Sequence, residues 1–259
     1  MSNLQEMLRL RVLLAFLKED ESCTVMGISR SLNETKQNIS RTIIMLEQEG
    51  MIDRKDIRHP VLTEHGRNTA KLYSQKMEIA MQFLNGEGVS MENARKDACY
   101  WAIHNTEETM NIFRKCEEKN EVKRQMKSKS CFSGTAFIKN LKEGVYHFPF
   151  FIHGGNDITI NKCFEHPCVC HVENGRGNIL IRLLQSEKQK IKTIQYFDHG
   201  IFVSVEKNGD VLSFPVEILE FMNFGEGQGQ VLYGTAYLKI QYECLGERKE
   251  KNTMFTIIL

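Results

Sequence analysis

The sequence predicts an α+β chain, helical before residue 127 and β-rich after it, and three observations lead there. Up to residue 126 the apolar residues recur at i, i+3, i+4 and i+7, the spacing that lines one side of a helix. Beyond it, β-branched and aromatic residues alternate with polar ones between Gly and Asn turns, as in half-buried strands. Between them lies a stretch rich in both charge signs, 114–129 (RKCEEKNEVKRQMKSK), which reads as a helix end running into a linker. With 41% hydrophobic residues in 259, the chain can fill large cores, which excludes disorder as its main state.

Taken in order, the first helix is expected over 4–18, with Leu4, Met7, Leu8, Leu10, Leu14 and Leu17 on a broad apolar face. Thr24 can cap a short helix over 25–32. Thr35 can cap a third, because its hydroxyl accepts from an orphan amide of the first turn, and Gly50 supplies the left-handed stop. On that helix Ile39, Ile43 and Leu46 turn inward, leaving Lys36, Gln37, Ser40 and Arg41 outward. Two extended pieces, 51–55 and 60–62, follow, joined through Asp56, Ile57, Arg58 and His59. Helix, helix, helix, hairpin is the order of a winged helix-turn-helix.

A longer helix starts after Leu62 and Thr63, and its Leu72, Ile79, Phe83 and Leu84 make an apolar side too extensive for a small domain to cover alone. Past residue 134, strands are expected over 135–138, 145–151, 158–160, 169–172, 179–184, 191–197, 201–205, 211–214, 231–242 and 254–258. Asn174-Gly175, His199-Gly200 and Asn208-Gly209-Asp210 supply turns, so this half reads as a β-sandwich or barrel. Three domains follow: a winged helix over 1–63, a helical domain over 64–126 and a β-rich domain over 127–259.

Charge bears on function first. With 34 Lys and Arg against 33 Asp and Glu, a net charge of +1 gives no global steering toward polyanions, so any nucleic-acid contact is local. A helix entering the major groove needs small or polar groups on its first turns, with cations and amides that reach phosphates and base edges. Thr35, Lys36, Gln37, Asn38, Ser40 and Arg41 supply them, and Arg54, Lys55 and Arg58 of the hairpin can reach the flanking backbone. An ordinary solvated helix carries the same residue types, and the following basic hairpin is what favours DNA. The alternative is a protein-interaction or assembly module built on a winged helix.

Cys163, His166, Cys168, Cys170 and His171 are the residues that can carry metal chemistry. Cys168 and Cys170, two apart on a strand, share one face and with Cys163 or His166 approach the tetrahedral set that zinc prefers, so a thiol or zinc sensor is a further alternative. The spacing lacks paired C-x2-C knuckles, and buried thiols are the expectation, with no cofactor. Phe148, Phe150, Phe151, Tyr196 and Phe197 read as core. No G-x-S-x-G, phosphate-cradling G-x-x-x-x-G-K or H-E-x-x-H appears, which argues against an enzyme, and Gly225, Gly227 and Gly229 read as a hairpin loop. No apolar run approaches a membrane span and the first residues lack a signal-peptide cleavage region, so a cytoplasmic protein with its 8 Cys reduced is expected.

The run SLNETKQNISRTIIMLEQEGMIDRK with VLTEHG resembles winged-helix bacterial repressors. Over residues 4–118 the chain resembles the diphtheria-toxin-repressor family of metal-dependent regulators, which includes the manganese repressors. The most specific pieces are the Leu62-Thr63 start of a helix ending Gln82-Phe83-Leu84, the Gly88-Val89 turn, and Asp97-Ala98-Cys99-Tyr100-Trp101. The resemblance implies a homodimer in which each winged helix reads half of a near-palindromic double-stranded operator. Family members hold a regulatory divalent metal, and the positions aligned with its ligands here are Leu8, Arg11, Met77, Cys99, Ala102 and Ile103. Only Cys99 and Met77 can donate to a transition metal, so no manganese or iron(II) is expected at that site. A transcription regulator without metal control, sensing an unidentified effector through its β-rich domain, is the expectation that results.

Overall fold

The computed structural model describes residues 3–19, 24–153, 160–187, 190–225, 230–244 and 246–259. The chain forms two compact units, Met1–Glu117 and Glu118–Leu259.

The first unit is helical apart from one small hairpin. It holds α1 (Asn3–Glu19), α2 (Val25–Leu32), α3 (Lys36–Gln48), β1 (Ile52–Asp53), β2 (Val61–Leu62), α4 (Glu64–Gly86), α5 (Met91–His104) and the start of α6 (Glu107–Met126). Hydroxyl caps set most of the starts: Thr24, Thr35, Thr63 and Ser90 each accept from a backbone amide three residues on. One core joins Val12, Leu13 and Phe16 of α1 to Ile28, Ile39, Ile43, Leu46 and Ile52. Leu4, expected on the apolar face of α1, is instead exposed, because packing follows the Val12, Leu13 and Phe16 side of that helix.

The second unit opens on the end of α6 and continues with β3 (Cys131–Ser133), α7 (Gly134–Lys139), β4 (Gly144–Phe148), β5 (Phe150–Ile152), β6 (Cys168–Glu173), β7 (Arg176–Arg182) and β8 (Ile191–Asp198). β9 (Ile201–Ser204), β10 (Glu206–Asn208), β11 (Val211–Pro215), β12 (Glu220–Phe224), β13 (Val231–Cys244) and β14 (Glu247–Ile258) complete it. Five strands form one sheet in the order β10-β11-β7-β6-β4. The other sheet has seven, β3-β12-β13-β14-β5, with β8 added on β13 and β9 on β8. Residues of both sheets, among them Phe148, Cys170, Ile181, Phe214, Phe221, Leu238 and Phe255, share one apolar core, so the unit is a sandwich. The two-residue turn Asn174-Gly175 has positive φ at both positions, the geometry that joins β6 to β7.

Four expectations are corrected. The stretch 114–129 is a helix end as expected, but little of it is linker: α6 continues to Met126, and Val122 and Met126, one turn apart, are buried in the sandwich core. Residues 135–138 are helical rather than extended, because the Ser133 hydroxyl caps α7 and both Phe137 and Ile138 pack inward. The expected strand over 145–151 is two strands in different sheets, parted at Pro149. Phe197 is not core but 42% exposed, and Phe151 and Tyr196 are half-buried, whereas Phe148 and Phe150 are buried as expected. Ile158 of one expected strand, and Gly227 and Gly229 of the expected loop, lie outside the described residues.

Candidate nucleic-acid interface

The site is built on α3. Its inward side, Ile39, Thr42, Ile43 and Leu46, is at most 3% exposed, so the helix cannot rotate without emptying the core. Thr42 Oγ1 donates to Asn38 O at 2.8 Å, which lets a polar side chain sit on the buried side. At the start, Thr35 Oγ1 accepts from Asn38 N at 3.2 Å. The turn from α2 is fixed by Asn33 in the left-handed region (φ 53°) and by Ser29 Oγ donating to Glu34 O at 2.6 Å.

With its inner side fixed, α3 presents Lys36, Gln37 and Arg41 to solvent, with Thr35 and Asn38 exposed and Ser40 half-buried beside them. Positions 36, 37, 40 and 41 are neighbours on a helix surface, so this is one patch. The helix N-terminus adds its partial positive charge at the same end. The hairpin β1–β2 carries the other three candidates, and the structure separates them. Arg54 Nη1 pairs with Glu47 Oε2 of α3 at 2.9 Å, and Lys55 Nζ with Asp53 Oδ2 at 3.1 Å. The Lys55 amide and ammonium together hold the Asp53 carboxyl below its ordinary range. Arg58 is exposed, its backbone amide donating to Asp56 Oδ1 at 2.8 Å. Among the described residues, Lys36, Arg41 and Arg58 have no ion-pair partner, so three of the cations are available to a polyanion and two are used within the protein.

The positions aligned with the family's metal ligands divide between two environments. Leu10, Cys99 and Ala102 form an apolar cluster with Met7, Leu14, Tyr73, Met77 and Ile103, while Leu8 packs against the main helical core. Cys99 Sγ lies 3.8 Å from Met77 Sδ, and burial pushes the Cys99 thiol up, opposed by the charges of Arg11 and Arg95. Arg11 itself donates to Leu32 O at 2.7 Å and lies 3.6 Å from Glu34. A neutral thiol, a thioether, three aliphatic side chains and a guanidinium do not fit a divalent ion, which needs several oxygen or nitrogen donors.

In the sandwich, Cys168 and Cys170 share one face of β6 and are both buried, pushed up to about 12 by loss of solvation. Cys168 Sγ donates to Phe148 O at 3.3 Å. Cys163 is buried, whereas His166 is exposed and stacks on Phe150, and His171 is exposed. Among the described residues, no three His, Cys, Asp or Glu side chains converge as a metal site would require, and no helix is long and apolar enough to cross a membrane.

No protein-family model and no curated protein matches the chain. Among solved structures it is similar to T. acidophilum IdeR, at 14% identity and TM-score 0.35 over 99% of each chain. It is also similar to the manganese regulator SloR, at 9% identity and TM-score 0.37, over 96% of this chain and 97% of that one. A third is the NEAT5 domain of IsdX2, a B. anthracis hemophore in complex with heme, at 15% identity and TM-score 0.31, over 45% of this chain and 96% of that one. None of these values is high enough to carry a functional argument, which rests on the residues.

Proposed function

We propose that the protein is a sequence-specific, DNA-binding transcription regulator that acts as a homodimer, with 1–63 folding as a winged helix-turn-helix. The observation that carries this reading is the locked orientation of α3, which leaves Lys36, Gln37 and Arg41 exposed on one patch while Ile39, Ile43 and Leu46 fill the core. In this reading Gln37 or Asn38 meets an adenine edge, Arg41 a guanine edge, and Lys36 and Arg58 the phosphates. The exposed apolar side chains Met91, Tyr100 and Ile112 of α5 and α6 support a second copy as partner. The regulatory metal of the resembling family has no place in this reading, because its positions hold an apolar cluster and an arginine already engaged.

Selection of the full-length protein against random duplexes, followed by binding at rising salt, tests the proposal. An enriched near-palindromic site, with affinity falling as salt rises and changing less than about twofold on chelation, is the expected result. Failure to enrich any sequence overturns it. A second reading, a protein-docking module, is favoured by one observation: Ile57, near the hairpin tip, is 70% exposed. Binding to no duplex at low salt selects that alternative.

A further inference from the structure

The sandwich has a feature that DNA binding does not use. β13 is long, and its two edges are occupied differently. β14 pairs along one edge over residues 233–244, whereas the other edge is shared, β12 taking 231–235 and β8 taking 238–242. One step past the last pair of β8, Leu238↔Tyr196, come Tyr237 and Phe197, outside the ladder. The exchange of one neighbouring strand for another opens a cleft of about 720 Å³ there.

The pleat decides what lines it. Leu238 and Ala236 point into the core, so Tyr237 between them points outward, beside its partner Met254 on β14. His153, whose amide donates to Met254 O at 2.8 Å, extends the same row past the end of β5. On the other side stand Phe197 and Phe202, a cross-strand pair at the tip of the β8–β9 hairpin with ring centres 5.3 Å apart. Tyr237 is 64% exposed and Phe202 37%, so much of both rings faces solvent. Asn252, His153 and Thr253, whose hydroxyl donates to His153 O, are polar members among the described residues. His153 Nε2 lies 3.0 Å from Thr256 Oγ1, which holds the ring and leaves Nδ1 as its second hydrogen-bonding atom.

We propose that this cleft binds a planar, conjugated ring compound whose enclosed part is uncharged. Its volume falls within the usual range of small-molecule sites, and its makeup is theirs: apolar and aromatic walls with few polar groups. Among the described residues, none that lines it is Asp, Glu, Lys or Arg. The nearby Lys239, 5.8 Å from the Phe202 ring centre, is already paired with Glu250 at 2.7 Å. Flat rings match the Phe197, Phe202 and Tyr237 surfaces by offset stacking, and the imidazole and the Asn252 amide meet a polar edge. This site stands on the sandwich alone and does not depend on the DNA reading.

The test uses full-length protein and the fluorescent probe 1-anilinonaphthalene-8-sulfonate, whose fused rings enter the cleft while its sulfonate stays in solvent. Saturable binding at one site per chain is expected, weakened about tenfold in a Tyr237→Ser, Phe202→Ser double variant by loss of two ring contacts. Met222→Ser, at an exposed position of β12, is expected to leave it unchanged. Both variants alter exposed side chains, and native thermal unfolding checks that each remains folded. Absence of saturable binding, or equal binding by native protein and double variant, overturns the proposal. So does a double variant that binds normally but changes oligomeric state in sedimentation, which identifies the face as an interface between copies.

Discussion

The outer face of α3 and the outer face around Tyr237 are both exposed, and they are opposite in chemistry. The first is a polar patch with unpaired cations, laid over a helix that the core prevents from turning. The second is an aromatic recess in a sheet, uncharged among the described residues. A polyanion of regular shape needs the first kind of surface, since charge acts over several ångströms and a protruding helix fits a groove. A flat neutral molecule needs the second, since dispersion and stacking require close contact on two sides. The two units thus present exposed surfaces of different chemistry.

The largest effects test whether the two surfaces belong to separable units. A Cβ at Gly66 would lie 1.9 Å from Met51 O, and one at Gly134 1.9 Å from Val216 O, both backbone atoms that cannot move aside. Gly66→Ala is expected to destabilise the helical unit, and Gly134→Ala the sandwich, by about 3 kcal/mol or more. Hydrogen exchange read by mass spectrometry follows the peptides of each unit. Loss of protection confined to the substituted unit sustains the comparison, and loss in both units breaks it.

Next in size are the contacts of α3 itself. Arg41→Ala is expected to cost about 1–3 kcal/mol at the selected site and much less on unrelated duplexes, as loss of a base contact does. Lys36→Ala should weaken all duplexes alike and lower the salt slope by about one, as loss of a phosphate contact does. Competition binding at two salt concentrations measures both. Uniform weakening by Arg41→Ala would make the whole patch a phosphate-binding surface and remove base reading from it.

The units should also respond differently to alkali. Cys168 and Cys170 are held as neutral thiols, with values pushed up to about 12 from an ordinary 9.0, and Tyr146, buried beside Glu118, is raised as well. In the unfolded chain these groups ionise first, so the stability they contribute is complete below about pH 9 and is lost as pH rises toward 12. The sandwich should lose about 1 kcal/mol per thiol at about pH 10 relative to neutral pH. In the helical unit Cys99 is raised in the same sense, and the lowered carboxyl of Asp53, half-buried beside Lys55, acts only in acid. Denaturant midpoints of each unit at neutral and alkaline pH measure the difference, and equal losses would remove it.

The same contrast decides how much could be read before the structure. The starts of α2 and α3 follow from Thr24 and Thr35, and the end of α3 from Gly50, because capping is local chemistry that the sequence displays. The Lys36, Gln37 and Arg41 patch was legible for the same reason: one helical period sorts buried from exposed. The cleft was not. Its aromatics alternate as any strand residues do, and exposure of Phe197 depends on where β12 and β8 meet on β13, a nonlocal fact. The repeated spacing of aromatics around Asp198, His199 and Gly200 was the available signal, pointing to two rings flanking one turn. The first half of β14 is equally hidden in the sequence, since its charged residues 247–251 pair only with β13 and form an edge, where charge is tolerated.

The smallest expected effect concerns an ion pair that joins α3 to the hairpin. Arg54 pairs with Glu47 across the turn from α3 to β1, and the guanidinium is 19% exposed against 40% for the carboxylate. Such a partly solvated pair gains little over its two hydrated ions, so Arg54→Ala should cost under about 1 kcal/mol of stability. Because the guanidinium already has a partner, binding a phosphate would require it to leave Glu47, whereas Arg58 and Arg41 need not exchange anything. Arg54→Ala should therefore weaken DNA less than either Arg58→Ala or Arg41→Ala. A double-mutant cycle with Glu47→Ala isolates the pair, and a coupling of a few tenths to about 1 kcal/mol in stability is expected. If the cycle shows no coupling and Arg54→Ala instead costs as much DNA affinity as Arg41→Ala, the hairpin reads the duplex with the cation assigned here to holding it in place.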